Sequence, residues 1–470
     1  MAMPGLKLLI IFLLSISIRQ SQLCAQIPIT PVVAENLPAN QDCVAVGCVA
    51  TPNTEQVRDT NHGKKNSADR VSMNQARPED CGFDKQKLDR VIKSLQGYVN
   101  DGKIPGAVIG IARGNQLVMQ TCVGYRDMAN RKPMEKDTIF RIYSMTKPIT
   151  TVAALMLVDE GKLELDAPLA KYLPEFATTR VFKGMQGTKV ISEPLQRPIT
   201  IRDLLRHTAG MTYGIFGNTP VDKLYKSAGV LSHEDDAAAL SVKISSLPTL
   251  FQPGSEFHYS IATDIVGRVI EVVSGQKLDA CLRNRIFEPL GMHDTGFHVP
   301  AKSLDRFSTS YRLDQTGQLH VTDEPETSEF RNTPPMLSGG DGLVSTLMDY
   351  LRFTQMLRNG GTFQGTRLLS ASSVKEMTEN QLPANAVPIS IDGNTLPDVA
   401  FGLGVSVYVG SKKMGSVPLL GEYGWDGMAT TSFWSSPASD TTVVLLTQVV
   451  PYSPTLSMTI RPLVYDAITE

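Results

Sequence analysis

The segment RIYSMTKPIT, Arg141 to Thr150, decides how the rest of the chain is interpreted. It places a lysine three residues after a serine, as Ser144 and Lys147, and an apolar pattern of helical spacing follows from Pro148 to Gly161. Proline is tolerated in the first turn of a helix. Ser144 is therefore expected at a helix N-terminus, with Lys147 one turn further along the same face.

This spacing is that of a nucleophile and its base, or of a chance pair on a helix surface. A serine hydroxyl is a poor nucleophile until a base takes its proton. A lysine that is removed from water favours its neutral amine and can be that base, so Lys147 is the candidate. The dipole and the free amides of the helix N-terminus would in turn favour negative charge on the Ser144 oxygen.

The same spacing occurs a second time, at Ser372 and Lys375. Its surroundings, LLSASSVKEMTENQ, are amphipathic and charged. Lys375 is therefore expected to face solvent, as most lysines do. Only the first pair is a catalytic candidate.

Composition excludes several classes of function. The chain has 470 residues, of which 42% are hydrophobic and 20% charged, and a net charge of −2, which is ordinary for a globular protein. The nearly neutral charge gives no indication of a nucleic-acid partner. There is no glycine-rich phosphate loop, no HExxH and no CxxC pair, and the seven histidines lack metal-ligand spacing. We expect neither a metal nor an organic cofactor.

The first 25 residues are typical of a signal peptide. Lys7 precedes an apolar run from Leu8 to Ile18, and cleavage is expected after Ala25. The run is shorter than the ~20 residues that span a bilayer, so no stable membrane span is expected after cleavage. The protein is expected to be exported, either to a periplasm or to the medium. An uncleaved anchor is the alternative.

Residues 26–80 are polar and have no sustained period, which is typical of a linker or an N-terminal arm. A small element that caps the main domain is the alternative. Cys43 and Cys48 close a short loop and could form a disulfide outside the cytoplasm.

Residues 81–470 form the predicted main domain. Apolar residues at helical spacing end at Gly102, and two β-rich runs flank Arg113 to Asn115 as in a hairpin. A strand pattern returns at Thr441 to Thr447, and a helix pattern closes the chain at Leu456 to Ile468. Strands near both ends of the chain around a long helical middle predict an α/β layer with an inserted helical region.

Five ordered segments resemble the serine β-lactamase and penicillin-binding-protein family: RIYSMTKPIT, DLLRHTAGM, PGSEFHYS, EPLGMHDTGF and GGDGLVST. The resemblance is closest to the class C-like branch that includes the family VIII carboxylesterases, and it extends roughly from Cys81 to the C-terminus. It implies an α/β fold in which an antiparallel sheet is flanked by helices, plus an all-helical region. It also implies that Ser144 and Lys147 are catalytic.

The family's second motif, Y-x-N, corresponds to Tyr259, Ser260 and Ile261. The resemblance makes Tyr259 the third catalytic residue, since a phenol beside a lysine can exchange protons with the serine. Ile261 replaces the asparagine, which argues against recognition of a β-lactam or peptide amide.

The third motif, K-T-G in β-lactamases and W-G-G in the esterase branch, corresponds to Trp425, Asp426 and Gly427. The resemblance makes these three residues substrate-binding. Here no lysine is available for a substrate carboxylate. By the same resemblance the backbone N–H groups of Ser144 and Met428 form the oxyanion hole, a contribution of several kcal/mol.

Other polar residues in these segments are predicted to be structural. His207 belongs to a turn in the resemblance and is not expected to be the base. Arg202 and Asp203 are expected on a helix surface or in a turn, and Asp264 is expected to be structural. No G-x-S-x-G occurs, so a nucleophile elbow is not indicated.

The sequence therefore predicts an exported serine hydrolase that works through an acyl-enzyme, most consistent with a carboxylesterase on small esters. The alternative activities are those of a β-lactamase or of a D-amino-acid or DD-peptidase, which would act on amides. A non-enzymatic alternative is a penicillin-binding-like module that binds a cell-wall fragment or a protein. Intact Ser144, Lys147 and Tyr259 argue against the last.

Overall fold

The computed structural model describes residues 73–469. The predicted signal peptide 1–25, almost all of the predicted linker 26–80, and the proposed Cys43–Cys48 disulfide lie outside these described residues. Over the range that is described, every helix is too short or too polar to cross a bilayer.

A nine-stranded sheet is formed by both ends of the chain. Its strands are β1 (Asn74–Gln75), β2 (Gly106–Arg113), β3 (Gln116–Asp127), β4 (Lys132–Pro133), β5 (Val399–Phe401), β6 (Ser406–Tyr408), β7 (Tyr423–Gly427), β8 (Thr431–Ser436) and β9 (Thr441–Leu446). The order across the sheet is β1-β3-β2-β9-β8-β7-β6-β5, with β4 paired to β3. All pairs are antiparallel except β1 with β3.

The described residues also form helices that cover the two faces of the sheet and build the region beside it. They are α1 (Lys85–Asn100), α2 (Thr146–Asp159), α3 (Ile201–Leu205), α4 (Pro220–Ser227), α5 (Ala237–Ser245), α6 (Ala262–Ser274), α7 (Leu278–Leu282), α8 (Glu288–Leu290), α9 (Leu347–Arg358), α10 (Ala371–Thr378) and α11 (Thr455–Asp466).

Small strand pairs lie outside the main sheet. They are Phe140–Arg141 with Val344–Ser345, Arg180–Gln186 with Lys189–Pro194, Ser310–Leu313 with Leu319–Asp323 and Val449–Val450, Thr362–Phe363 with Thr366–Arg367, Ser390–Ile391 with Asn394–Thr395, and Lys413–Met414 with Val417–Pro418.

The centre of the sheet is buried on both faces. Every residue of β9 is buried, as is every residue of β2 except Arg113. A strand covered on both faces is an almost continuous apolar run, without the alternation of a half-exposed strand. Helices α1 and α11 pack on one face through residues such as Val91 and Ile460. Helices α2 and α9 contribute to the larger core on the other face.

The predicted fold class is confirmed: an antiparallel sheet flanked by helices, with helices α3 to α8 beside it. The hairpin at Arg113 and the first and last helices also agree with prediction. The domain begins earlier than residue 81, however, because β1, Asn74–Gln75, pairs with β3 as an edge strand. A two-residue strand is too short to show any periodicity and could not be predicted from the sequence.

Candidate active site

Ser144 lies in a single 3-10 turn, Tyr143–Met145, that leads directly into α2. Tyr143 has a φ of 42°, in the left-handed region that residues other than glycine seldom adopt. The turn is held on both sides: the buried Arg141 pairs with Asp323 at 2.6 Å, and the Tyr350 hydroxyl donates to the Met145 carbonyl at 2.8 Å. These contacts fix the backbone that carries the serine.

Lys147 and Tyr259 converge on the Ser144 hydroxyl. Lys147 Nζ is 3.1 Å from Ser144 Oγ, and the Tyr259 hydroxyl is 2.8 Å from the same atom. Two groups that can exchange protons therefore lie within hydrogen-bonding distance of one half-buried serine oxygen. The three residues that the sequence singled out as catalytic are brought together.

Lys147 is fully buried. Its Nζ donates to the Gly340 carbonyl at 2.8 Å and lies 4.7 Å from the centre of the Tyr259 ring and 5.5 Å from that of Tyr213. A carbonyl and two aromatic faces replace its water. This is the desolvated environment expected of a lysine base.

An aromatic cluster holds Tyr259 in place. Its ring centre lies 5.3 Å from that of Trp425, 5.6 Å from that of Tyr213 and 4.9 Å from that of His207. Close ring pairs of this kind restrict where the phenol can point. The Tyr259 hydroxyl is thus positioned by its ring, well before any substrate arrives.

Strand β7 runs beside the serine turn. A Cβ atom on Gly427 would lie 2.3 Å from the carbonyl oxygen of Ile142, so only glycine allows this approach. Met428 follows at the end of the strand, with its side chain 37% exposed. The oxyanion role of the Ser144 and Met428 amides stays a prediction.

Asp426 does not face the site, contrary to its predicted substrate-binding role. Successive side chains of a strand point to opposite faces. Trp425 packs on Tyr259 in the larger core, whereas the Asp426 carboxylate accepts a hydrogen bond from Tyr452 at 2.8 Å. Burial raises the pKa of Asp426, with the hydroxyls of Ser432 and Tyr452 opposing the shift.

His207 is buried, with Nδ1 3.3 Å from Ser260 Oγ and its ring edge-on to Tyr259. Burial, with Lys147 nearby, lowers its pKa well below the usual value, so the ring is neutral. It supports Tyr259 and makes no hydrogen bond to Ser144 within the described structure. Ile261 is also buried, at the start of α6, and takes the place of an amide at the site.

The second serine–lysine pair is at the surface. Ser372 is exposed on α10, and the Lys375 side chain is 72% exposed and 3.8 Å from Glu379. The prediction that Lys375 faces solvent agrees with this placement.

Asp203 and Asp264 make buried contacts that the sequence did not indicate. Asp203, expected at a surface or turn, is fully buried and contacts Arg197 at 2.5 Å and Arg206 at 3.0 Å. Asp264 is buried too and contacts Ser338 in the loop that carries Gly340. The glycines around Asp341 in GGDGLVST were the available signal that this loop approaches another backbone closely.

The family model for Beta-lactamase matches residues 88–461. The chain belongs to the beta-lactamase family. Among curated proteins, Protein Rv1367c of Mycobacterium tuberculosis is 35% identical over 373 residues, covering 77% of this chain and 90% of that protein.

An esterase is also among the relatives. Esterase EstB of Burkholderia gladioli is 33% identical over 302 residues, covering 61% of this chain and 73% of EstB. A solved structure described as EstCE1, a hydrolase with promiscuous acyltransferase activity, has a TM-score of 0.69 at 25% identity and covers 82% of this chain and 99% of that one. These relatives support serine hydrolase activity for this member of the beta-lactamase family.

Proposed function

We propose that the protein is an exported serine esterase that cleaves small carboxylic esters through an acyl-enzyme. The observation that carries the proposal is the approach of Lys147 Nζ and the Tyr259 hydroxyl to Ser144 Oγ, at 3.1 and 2.8 Å. A nucleophile with a base in reach is the arrangement that acyl transfer requires.

The steps follow from these positions. Ser144 Oγ attacks the ester carbonyl while its proton passes to the Lys147–Tyr259 pair. The oxyanion is held by the N–H groups of Ser144 and Met428. The pair returns the proton to the departing alcohol, which leaves an acyl-serine. Water, deprotonated by the same pair, then releases the acid and restores the serine.

The residues of β7 favour esters over β-lactams as substrates. Trp425, 8% exposed, stands where the β-lactamase motif has a lysine, and Asp426 turns to the other face of the strand. A penicillin carboxylate would meet an indole and no cation from this motif. Buried Ile261 likewise offers no hydrogen bond to an acylamide. The name of the EstB relative points in the same direction.

The test is a comparison of kcat/KM for p-nitrophenyl butyrate and for nitrocefin on the purified protein. Losing a charge-assisted bond to the carboxylate costs about 1.5–3 kcal/mol, so we expect the ester to be preferred by about tenfold to a hundredfold or more. A clear preference for nitrocefin would overturn the esterase proposal.

The nucleophile is tested by Ser144→Ala, with Ser372→Ala as the matched control. Loss of an activated serine costs several orders of magnitude in kcat, so Ser144→Ala should be inactive while remaining folded. A fluorophosphonate probe should label the wild type and Ser372→Ala but not Ser144→Ala. No labelling of the wild type would favour a binding module instead.

A further inference from the structure

The Ser338 hydroxyl contacts two carboxyl groups, those of Asp264 and Asp341, close to Lys147. Ser338 Oγ is 2.5 Å from Asp264 Oδ1 and 2.5 Å from Asp341 Oδ1. The Asp341 N–H donates to Ser338 Oγ at 3.0 Å, and the Gly340 N–H is shared between Ser338 Oγ, at 3.2 Å, and Asp264 Oδ1, at 3.1 Å. The serine hydroxyl thus joins two carboxyl groups from different parts of the chain.

Counting protons shows what these distances require. Contacts of 2.5 Å between oxygens are short hydrogen bonds, and each needs a proton between its two atoms. The Ser338 hydroxyl has one proton and can donate it to only one carboxylate. The second contact needs a proton that a carboxylic acid supplies. Asp264, the more deeply buried of the two, is therefore placed as the carboxylic acid that donates to Ser338, and the Ser338 hydroxyl donates to Asp341.

A single residue, Gly340, connects this bridge to the proposed base, Lys147. The Gly340 N–H donates to Asp264 Oδ1 at 3.1 Å, and the Gly340 carbonyl accepts from Lys147 Nζ at 2.8 Å. A Cβ atom on Gly340 would lie 2.5 Å from Asp264 Oδ2, so the loop fits closely against that carboxyl group. Movement of the bridge would move the carbonyl that orients Lys147.

We propose that a protonated Asp264 donates to Ser338, that Ser338 donates to Asp341, and that this bridge positions the Gly340 carbonyl so that it aims Lys147 at Ser144. Asp264, Ser338 and Asp341 are then positioning residues for the reaction. The proposal rests on the proposed role of Lys147 in ester hydrolysis, and it extends the site beyond the three catalytic residues.

The charged and titratable groups around the bridge determine its pH dependence. Lys147 faces the bridge from α2, Tyr143 from the serine turn and Tyr213 from the loop after α3, and His233 Nε2 lies 3.8 Å from Asp341. Burial and then Asp341 raise the pKa of Asp264 to about 6. Because this pKa is raised, the bridge is complete at low pH and is lost as the pH rises through about 6.

The proton on Asp264 can be measured without catalysis, by following the carboxyl carbons of 13C-labelled aspartate through a pH titration. Asp264 should titrate well above an ordinary aspartate in the wild type, and about one pH unit or more lower in Asp341→Asn. Asp349→Asn is the matched control, since the pKa of Asp349 is also raised to about 6, by its own burial. An Asp264 titration unchanged by Asp341→Asn would overturn the bridge.

The positioning role is tested by kcat/KM for p-nitrophenyl butyrate between pH 5 and 8. Asparagine at position 264 does not titrate, whereas the wild type loses its bridge as the pH rises, so the ratio of Asp264→Asn to wild type should rise with pH, by roughly three- to tenfold for groups in one network. Asp264→Ala should be impaired mainly in kcat at every pH. A flat ratio, or equal impairment of Asp264→Asn and Asp264→Ala, would refute the role.

The two proposals can fail separately. Ester hydrolysis by Ser144→Ala would remove the proposed mechanism while leaving the carboxyl titration valid. A normal titration of Asp264 would remove the bridge while leaving Ser144 as the nucleophile.

Discussion

The ring and the hydroxyl of Tyr259 have separate roles: the ring packs in the core, and the hydroxyl contacts the nucleophile. The ring packs against Trp425 and lies 4.7 Å from Lys147 Nζ, and the hydroxyl is 2.8 Å from Ser144 Oγ. Removing the oxygen while keeping the ring should therefore affect chemistry without affecting packing.

We expect Tyr259→Phe to lower kcat/KM for a p-nitrophenyl ester by about 10²- to 10⁴-fold, the usual contribution of a general acid–base. The thermal unfolding midpoint should hardly change. Tyr225→Phe is the control, because the buried Tyr225 hydroxyl has no hydrogen-bond partner in the described structure. Near-normal turnover by Tyr259→Phe would leave Lys147 as the sole base.

Gly427 limits how close β7 can come to the nucleophile. An added methyl group would meet backbone at Ile142, which cannot rotate away as a side chain can. We expect Gly427→Ala to cost about 1–3 kcal/mol in unfolding free energy through overpacking, and to lower kcat by displacing the strand.

Gly97→Ala supplies the control for Gly427→Ala. Gly97 lies within α1, and a Cβ atom there meets nothing within 4 Å. That substitution should stabilise the helix by about 0.5–1 kcal/mol and leave turnover unchanged. Urea unfolding and steady-state kinetics on both variants would check the pair; an unperturbed Gly427→Ala would contradict the close packing.

For individual residues, the sequence predicted which residues belong to the site better than it predicted where their side chains point. Ser144, Lys147 and Tyr259 each stood in a motif, and their side chains do meet. The direction of Asp426 could not be predicted, because the register of a five-residue strand depends on its partner across the sheet. Asp203 was misplaced for a related reason: its burial depends on Arg197, six residues earlier but brought over it by a loop.

At the scale of elements, the short helix α3 is anchored by one carboxylate. Asp203 and Thr200 form a capping box, and Asp203 also contacts Arg197, Arg206 and the Thr208 hydroxyl. Burial opposes its ionisation, but the hydrogen bonds from Arg197 and its other partners hold the pKa of Asp203 below its usual range. The lowered pKa means that this stabilisation is present near neutral pH and is lost as the pH falls through the folded pKa.

We expect Asp203→Asn to destabilise the protein by about 2–4 kcal/mol at pH 7, somewhat less than a fully buried pair costs because Arg197 is 41% exposed. The difference should shrink at acid pH. Glu164→Gln is the control, since Glu164 and Lys171 form an exposed pair worth at most about 1 kcal/mol. Equal effects of the two changes in denaturant unfolding would contradict the anchoring role.

Long elements were predictable and short ones were not. Helix α1 and the β2–β3 hairpin are long enough to show their periods, and β9 has two β-branched threonines followed by an apolar run from Val443 to Leu446. The two-residue strands have no period to detect. Their existence follows from the packing of larger elements, which a sequence pattern does not contain.

For the whole molecule, export is the property that the sequence predicts most directly. We expect the mature protein to begin at Gln26, after removal of residues 1–25, because the apolar run is too short to remain as a span. Intact-mass measurement of protein from the medium or periplasm checks this. A chain that retains Met1, or that carries a lipid on Cys24, would contradict cleavage after Ala25.

Because Val108 pairs with Leu446, this part of the sheet can form only after both strands have been synthesised. Strand β2 is synthesised well before its neighbour β9, because the whole helical region lies between them in the chain. Until then an apolar strand edge stays unpaired, which exposes the growing chain to aggregation and makes a chaperone useful. Strand β7, which borders Ser144, is also synthesised long after the serine turn. In a growing chain the serine therefore lacks this neighbour until β7 has been made.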